Sequence, residues 1–381
     1  MKTKTVTNFL KKVCLVALAL ASFTTVAQEE SEEKSWIENF SVSGSVDGYY
    51  RYNIGAPNRI GDFDGDPTTD PSYIAPGTSF VNQSGFALGM ANVILGYEGD
   101  KVGFVADLVF GQRGEDAVFN SDGSAQIVNQ LYAYWNVSES VKLTVGNFNT
   151  YLGYEVISPT GNFNYSTSYM FSYGPFSHTG LKADFTLNDN WSAMLAIMNP
   201  TDFTESNPFD TYIIGAQLGY SADNGSAYLN FRYGNEGFPG LVGPTFQADL
   251  TTGWDVAEEF YLGINATYLS TDPQADGDAG GFYGVALYPQ YKTSEKFTIG
   301  IRGEYFALYN DGLLGLGAVG VDTEGDGSVI AATLTGSYDI GSLTLKPELR
   351  LDSTSEDFFE DNDGQETKSL SSFVLGAIYK F

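Results

Sequence analysis

The sequence predicts an all-β chain closed into a transmembrane antiparallel β-barrel of about 16 strands. Three observations predict it. Apolar and polar side chains alternate with a period of two through long stretches. The connections between those stretches alternate strictly between short and long, as an even-stranded membrane barrel requires. The chain is also aromatic and Gly-rich but sparsely charged, with 25 Tyr, 27 Phe and 44 Gly among 381 residues and only 17% charged. Two soluble sandwich domains would share the period. Their strands usually run about 5–6 residues, whereas these run about 9–14, near the roughly 9–11 of a tilted membrane strand.

The chain opens with Lys2, Lys4, Lys11 and Lys12 ahead of the apolar run Val13–Ala21. That run is shorter than the about 20 residues of a membrane-spanning helix. Thr25 and Ala27 suit a cleavage site before Gln28. Residues 1–27 therefore read as an export signal, 28–38 as a short periplasmic start, and 39–381 as the barrel. Cys14, the only cysteine, leaves with the signal, so neither disulfides nor thiolate metal sites are expected in the mature chain. Loss of the four lysines leaves 15 basic against 47 acidic residues, a formal charge of −32. Such a charge argues against a nucleic-acid partner.

Alternating segments start near residues 39, 84, 101, 126, 140, 178, 190, 210, 225, 244, 258, 281, 295, 328, 341 and 369. In the first, Phe40, Val42, Val46, Tyr50 and Tyr52 share one face. Near the end, Leu343, Leu345, Leu349 and Leu351 stand against Thr344, Lys346, Glu348 and Arg350. The apolar face is expected against lipid, the mixed face toward an aqueous lumen. In the last segment Phe373, Leu375, Ala377, Tyr379 and Phe381 face lipid, and Gly376 and Lys380 the lumen. Phe381, with Tyr379 before it, resembles the C-terminal aromatic signal by which barrel-assembly machinery recognises its clients. Expected partners are that machinery and outer-membrane lipid with lipopolysaccharide. Homotrimers are common among porins of this size, although no residue marks an interface.

The same face assignment puts seven bases on the lumen wall: Arg51, Lys142, Lys182, Arg232, Arg302, Lys346 and Arg350. Six acids join them: Asp47, Asp107, Asp184, Asp249, Glu304 and Glu348. The remaining negative charge gathers in the long connections, for example "GDFDGDPTTD" and "STSEDFFEDNDGQE". An acidic mouth concentrates cations within about 8 Å in physiological salt. "DFDGD" at 62–66 fails as a calcium loop, because Pro67 and Tyr73 stand where Gly and Glu are needed.

The third long connection differs. Residues 149–180 carry Glu155 as their only acid and no Lys or Arg, among many Tyr, Phe, Asn and Ser. A loop facing bulk water should resemble its acidic counterparts, so the segment at 149–177 is expected to fold inward as a constriction. Uncharged polar and aromatic linings suit neutral solutes such as sugars.

Within this segment stand Gly153–Tyr154–Glu155, Asn162, Asn164, Ser166, Ser168, Phe171, Pro175, Phe176, His178, Thr179 and Gly180. The run resembles the putative beta-barrel porin-2 group, the OmpL-like porins, over about 50 residues. The resemblance implies a general or substrate-selective porin of a Gram-negative outer membrane. Two departures stand out: Thr167 occupies a place where the family often carries an Arg, which leaves the constriction without that base, and "MNPTD" replaces an Asn-Gly-Trp run.

An enzyme reading would rest on His178, the single histidine. It lacks a suitably placed Ser and has no metal-ligating partner at useful spacing. It reads instead as an anchor for the third long connection, and no catalytic residue, metal or cofactor is expected. The leading reading is therefore a passive diffusion channel for small hydrophilic solutes. Its rival is a structural or adhesive surface barrel, or the barrel partner of a lipoprotein, without an open channel.

Overall fold

The computed structural model describes residues 36–59, 73–238, 240, 242–273, 277–313 and 319–381. The expected export signal at 1–27 and the acidic run at 62–66 lie outside them. The contact pattern divides the chain into Met1–Asn39, of which the short 3-10 turn Trp36–Asn39 is described, and Phe40–Phe381.

Sixteen antiparallel strands of this second unit close on themselves. In chain order they are β1 (Phe40–Ile54), β2 (Gly85–Glu98), β3 (Val102–Phe110), β4 (Val128–Ser138), β5 (Val141–Asn149), β6 (Ser177–Thr186), β7 (Trp191–Met198) and β8 (Ile213–Ala222). The wall continues with β9 (Gly225–Asn235), β10 (Pro244–Ala257), β11 (Phe260–Thr271), β12 (Gly280–Ser294), β13 (Phe297–Tyr309), β14 (Gly327–Ile340) and β15 (Leu343–Thr354). A two-stranded hairpin, β16 (Phe359–Glu360) with β17 (Glu366–Thr367), sits in the last long connection before β18 (Ser369–Lys380). β18 pairs with both β15 and β1, from Ser45↔Lys380 to Ile54↔Ser371 along the closing seam. The terminal residue extends this seam, since Phe381 and Gly44 exchange backbone N–H···O bonds at 3.1 Å. Closure removes the strand edges that hydrocarbon could not hydrogen-bond.

The observed strand starts agree with the sixteen predicted ones to within three residues. Alternation places the side chains as expected for a membrane wall. On β15, Leu349 and Leu351 are about half exposed while Lys346, Glu348, Arg350 and Asp352 are buried inward. Lipid-facing Val42, Leu88, Val145, Ile214 and Ile330 are likewise exposed on the outside. Among the described residues no helix is long and apolar enough to cross a membrane. The strands do the spanning.

One expectation needs correction. The inner face is not a continuous watery wall, because Val374 and Ile378 of β18 point inward and are buried. They join Tyr49, Met90, Val109, Ile157, Tyr165, Phe171 and Phe176 in an apolar cluster inside the barrel. A second cluster links Tyr169 and Met170 to Phe282, Phe306 and Val329. The long connections supply the partners that keep these inward apolar groups dry.

Candidate functional site: the loop-filled lumen

The 27 residues between β5 and β6 cross the lumen. Ordering a backbone costs about 1–2 kcal/mol per residue, so a segment of this length needs many separate anchors. Three kinds are visible.

The first kind is a ring set on a glycine. A Cβ at Gly263 would meet Tyr154 ring carbons at 2.6 and 2.7 Å, and one at Gly376 would meet the Tyr165 ring at 2.6 Å. Gly300 receives Phe163 at 2.6 Å in the same sense, and Gly284 receives Met170 at 2.8 Å. Each wall glycine leaves a socket that any side chain would fill. Tyr154 also stacks on Tyr288, with centroids 4.1 Å apart.

The second kind is a carboxylate that accepts backbone N–H groups. Glu348 accepts from Tyr165 N at 2.5 Å and Ser166 N at 3.0 Å. Glu304 accepts from Tyr169 N at 2.9 Å and Met170 N at 2.8 Å. Asp249 accepts from Gly153 N at 3.0 Å, and Glu155, within the loop, from Ser168 N at 2.7 Å. Asp47 accepts from the Tyr165 hydroxyl and from Met90 N. Charge-assisted bonds of this kind contribute about 1.5–3 kcal/mol each, enough to offset part of the burial cost of each acid.

The third kind is a base that donates to loop carbonyls or to an acid. Arg302 donates to Glu155 at 2.7 Å and to the Ser166 carbonyl at 2.6 Å, with both ion-pair partners fully buried. Arg350 holds Asp352 bidentately and donates to the Thr167 carbonyl at 2.8 Å. Lys346 donates to the Pro159 and Asn162 carbonyls.

The remaining sequence-predicted residues divide between loop and wall. Asn164 donates to Thr335 at 2.6 Å, Asn162 bonds both backbone groups of Val156, and the Ser168 hydroxyl caps Phe171 N at the start of the short helix Tyr169–Tyr173. Pro175 leads into Phe176, which stacks on Phe171 at 5.0 Å. His178 Nε2 meets Thr150 Oγ1 at 3.0 Å, tying the two ends of the loop together. Asp107 accepts from Asn92 and Asn129, and Arg232 is paired with Glu236 and Gln247. Arg51 lies inward under the first connection, 3.4 Å from the Val81 carbonyl. Lys182 and Asp184 form a partly exposed pair at 3.5 Å, away from the loop, and Lys142 sits 5.9 Å over the Tyr134 ring. These last three are not part of the crossing.

Several contributors escaped the sequence reading. Arg113, on the short helix Gln112–Ala117, is buried in the lumen and donates to the Ile157 carbonyl at 2.7 Å and to Tyr165 O at 3.2 Å. With Arg302 and Arg350 it supplies the basic contacts that Thr167 was expected to leave missing. Thr167 itself is fully buried and donates to the Ser79 carbonyl. The end of the first connection also enters. Phe80 packs on Phe171 and Phe176, and Ser172 accepts from Ser79 N at 2.7 Å. Phe80 and Val81 both hold positive φ, 67° and 55°, a strained geometry kept by these contacts. Asp202, in the connection after β7, accepts from Phe176 N and Ser177 N at 2.8 Å; burial pushes its carboxyl up to about 7.

Open space lies beside the loop. A cavity of about 520 Å³ is bordered by Tyr154, Asn162, Phe163, Tyr261, Gln290 and Lys380 toward the short-turn rim. A second, of about 430 Å³, shares Tyr154 and Tyr261. A separate small hollow of about 10 Å³ lies between Gly153, Phe171 and Pro175 on the loop and Gln247, Asp249, Asn265 and Thr267 on the wall.

Comparison with known proteins agrees with this architecture. An anion-selective porin from Comamonas acidovorans has a TM-score of 0.59 at 10% identity, covering 90% of this chain and 99% of its own. The outer-membrane expressed OmpT of Vibrio cholerae has a TM-score of 0.55 at 11% identity, covering 90% and 97%. These likenesses establish the fold. None of the curated proteins matches in sequence. The sequence profile described as "Putative beta-barrel porin-2, OmpL-like" matches residues 39–381, the whole barrel. The chain therefore belongs to the Putative beta-barrel porin-2, OmpL-like family of the Gram-negative outer membrane.

Proposed function

We propose that the barrel is a passive diffusion channel for small hydrophilic solutes, constricted by its third long connection. One observation carries the reading: a polar-in, apolar-out cylinder whose loop leaves cavities of about 520 and 430 Å³ along one side. The charges around the third connection are engaged in pairs or by backbone groups, so we assign ionic preference mainly to the acidic connections. The sign of that charge favours cations at the mouth. Planar-bilayer recording tests both parts. Discrete conductance steps and a cation-selective reversal potential under a salt gradient are expected; anion preference would overturn the mouth assignment.

The dense anchoring of the third connection to the wall favours a second reading, a surface barrel without open-channel activity, structural, adhesive or partnered with a lipoprotein. Silence in the bilayer and no swelling of sugar-loaded liposomes would select it. His178, bonded to Thr150, supports an anchoring role over a catalytic one. We assign Phe381 and Tyr379 to recognition by the assembly machinery, the exposed wall to lipid and lipopolysaccharide, and leave a homotrimer to cross-linking in membranes.

A further inference from the structure

Three tyrosine rings in and beside the third connection press on wall glycines, and Tyr154 is in addition stacked on Tyr288 on one face. Tyr154 covers Gly263. Tyr261 covers Gly253, where a Cβ would meet ring carbons at 2.8 and 3.2 Å, and Tyr228 covers Gly219 at 2.9 and 3.0 Å. All three border the 430 Å³ cavity and are half-buried. Gln217, Ser226 and Thr251 add an amide and two hydroxyls to the same space.

The chamber has no charged residue on its lining. Asp249 on β10 is already engaged by Gly153 N, Asn230, Asn265 and Thr251 at 2.7–3.3 Å, and Asp255, the cross-strand partner of Tyr261, stands exposed outside the lining. With no basic residue on the lining and an acid beside it, an anion finds no counter-charge there. A ring with an apolar C–H face and hydroxyls at its edge finds both its needs: aromatic faces to lie on and amide or hydroxyl groups to bond. The volume falls in the range of about 300–1,000 Å³ typical of small-ligand sites.

We propose that this chamber is a binding site for a neutral polyhydroxylated ring, a sugar of mono- or disaccharide size, with Tyr154, Tyr228 and Tyr261 as its stacking surface. The proposal rests on the channel reading only in that solute must reach the chamber, and its test separates the two. Equilibrium dialysis of the detergent-solubilised barrel against labelled maltose, and against maltobionate as a charged analogue of similar size, reads binding without conductance.

Saturable maltose binding is expected, weakened about tenfold by Tyr228→Ala and held within about twofold by Tyr228→Phe, which keeps the ring. Maltobionate should not bind. Should the alanine barrel fail to fold, Gln217→Leu is read in the same way. No saturable maltose binding, equal binding of maltobionate, or an undiminished Tyr228→Ala overturns the proposal. A barrel that binds maltose yet stays silent in a bilayer retires the channel and keeps the site; a conducting barrel that ignores maltose does the reverse.

Discussion

Arg302 shows how single residues decide this lumen. Its guanidinium meets Glu155 at 2.7 Å with neither side chain reaching solvent. Removing one partner of a buried pair leaves an uncompensated charge and costs about 3–5 kcal/mol, whereas replacing both costs far less. Arg302→Met is expected to lower the unfolding free energy of the folded barrel in vesicles, read from urea titration, by that amount. Adding Glu155→Gln should restore more than half, and no recovery would show that the bond to Ser166 O dominates instead. The glycine sockets give a second prediction. Gly376→Leu sets a branched side chain where the Tyr165 ring stands, at a cost of about 1–3 kcal/mol, and should raise protease cleavage within residues 150–176. Asp202 gives a third. Its carboxyl is raised in the fold, so the protonated folded state is favoured. The associated stability is complete below about pH 3.8 and fades as pH rises through about 7. The urea midpoint of the native sequence should therefore fall between about pH 5 and pH 8. In Asp202→Asn that slope should flatten, and an unchanged slope would assign it to another group.

At the scale of elements, the third connection is held by three kinds of anchor, and shortening it should open the lumen where it now crosses. Replacing residues 155–173 with a short Gly-Ser linker is expected to raise single-channel conductance at least about twofold, since a 16-strand barrel is wide enough for an aqueous channel. Unchanged conductance would place the limiting cross-section elsewhere. The strands were legible because a period of two survives any register and short turns mark one rim. The inward fold of the third connection was legible from its missing charge. Its sockets were not, because Gly263 or Gly376 on an inward face reads equally as a small residue beside water. Arg113 was hidden on a helix of six residues, too short to show a period. One signal did lie in the sequence: Val374 and Ile378 are apolar at inward positions, and such residues need a lid from elsewhere in the chain.

For the whole molecule, the seam between β1 and β18 joins residues over 300 positions apart, a contact that pays off only when every other strand is in place. Deletion of Phe381 removes two backbone bonds to Gly44 and the terminal ring together. The folded fraction recovered from outer membranes is expected to drop severalfold, while refolding into detergent suffers less; equal losses in both would make the residue purely structural. The wall is also uneven in height. β7 has 8 residues and β12 has 15, which at about 3.3 Å per residue and a tilt near 40° give roughly 20 and 38 Å. A bilayer whose greasy slab measures about 25 Å at such barrels must pinch at β7 and relax at β12, five strands further round the ring. Acyl chains beside Trp191–Met198 would be compressed, and molecules that hide this flank against each other would relieve the strain. Energy transfer between labelled barrels should accordingly grow as the host lipid is lengthened.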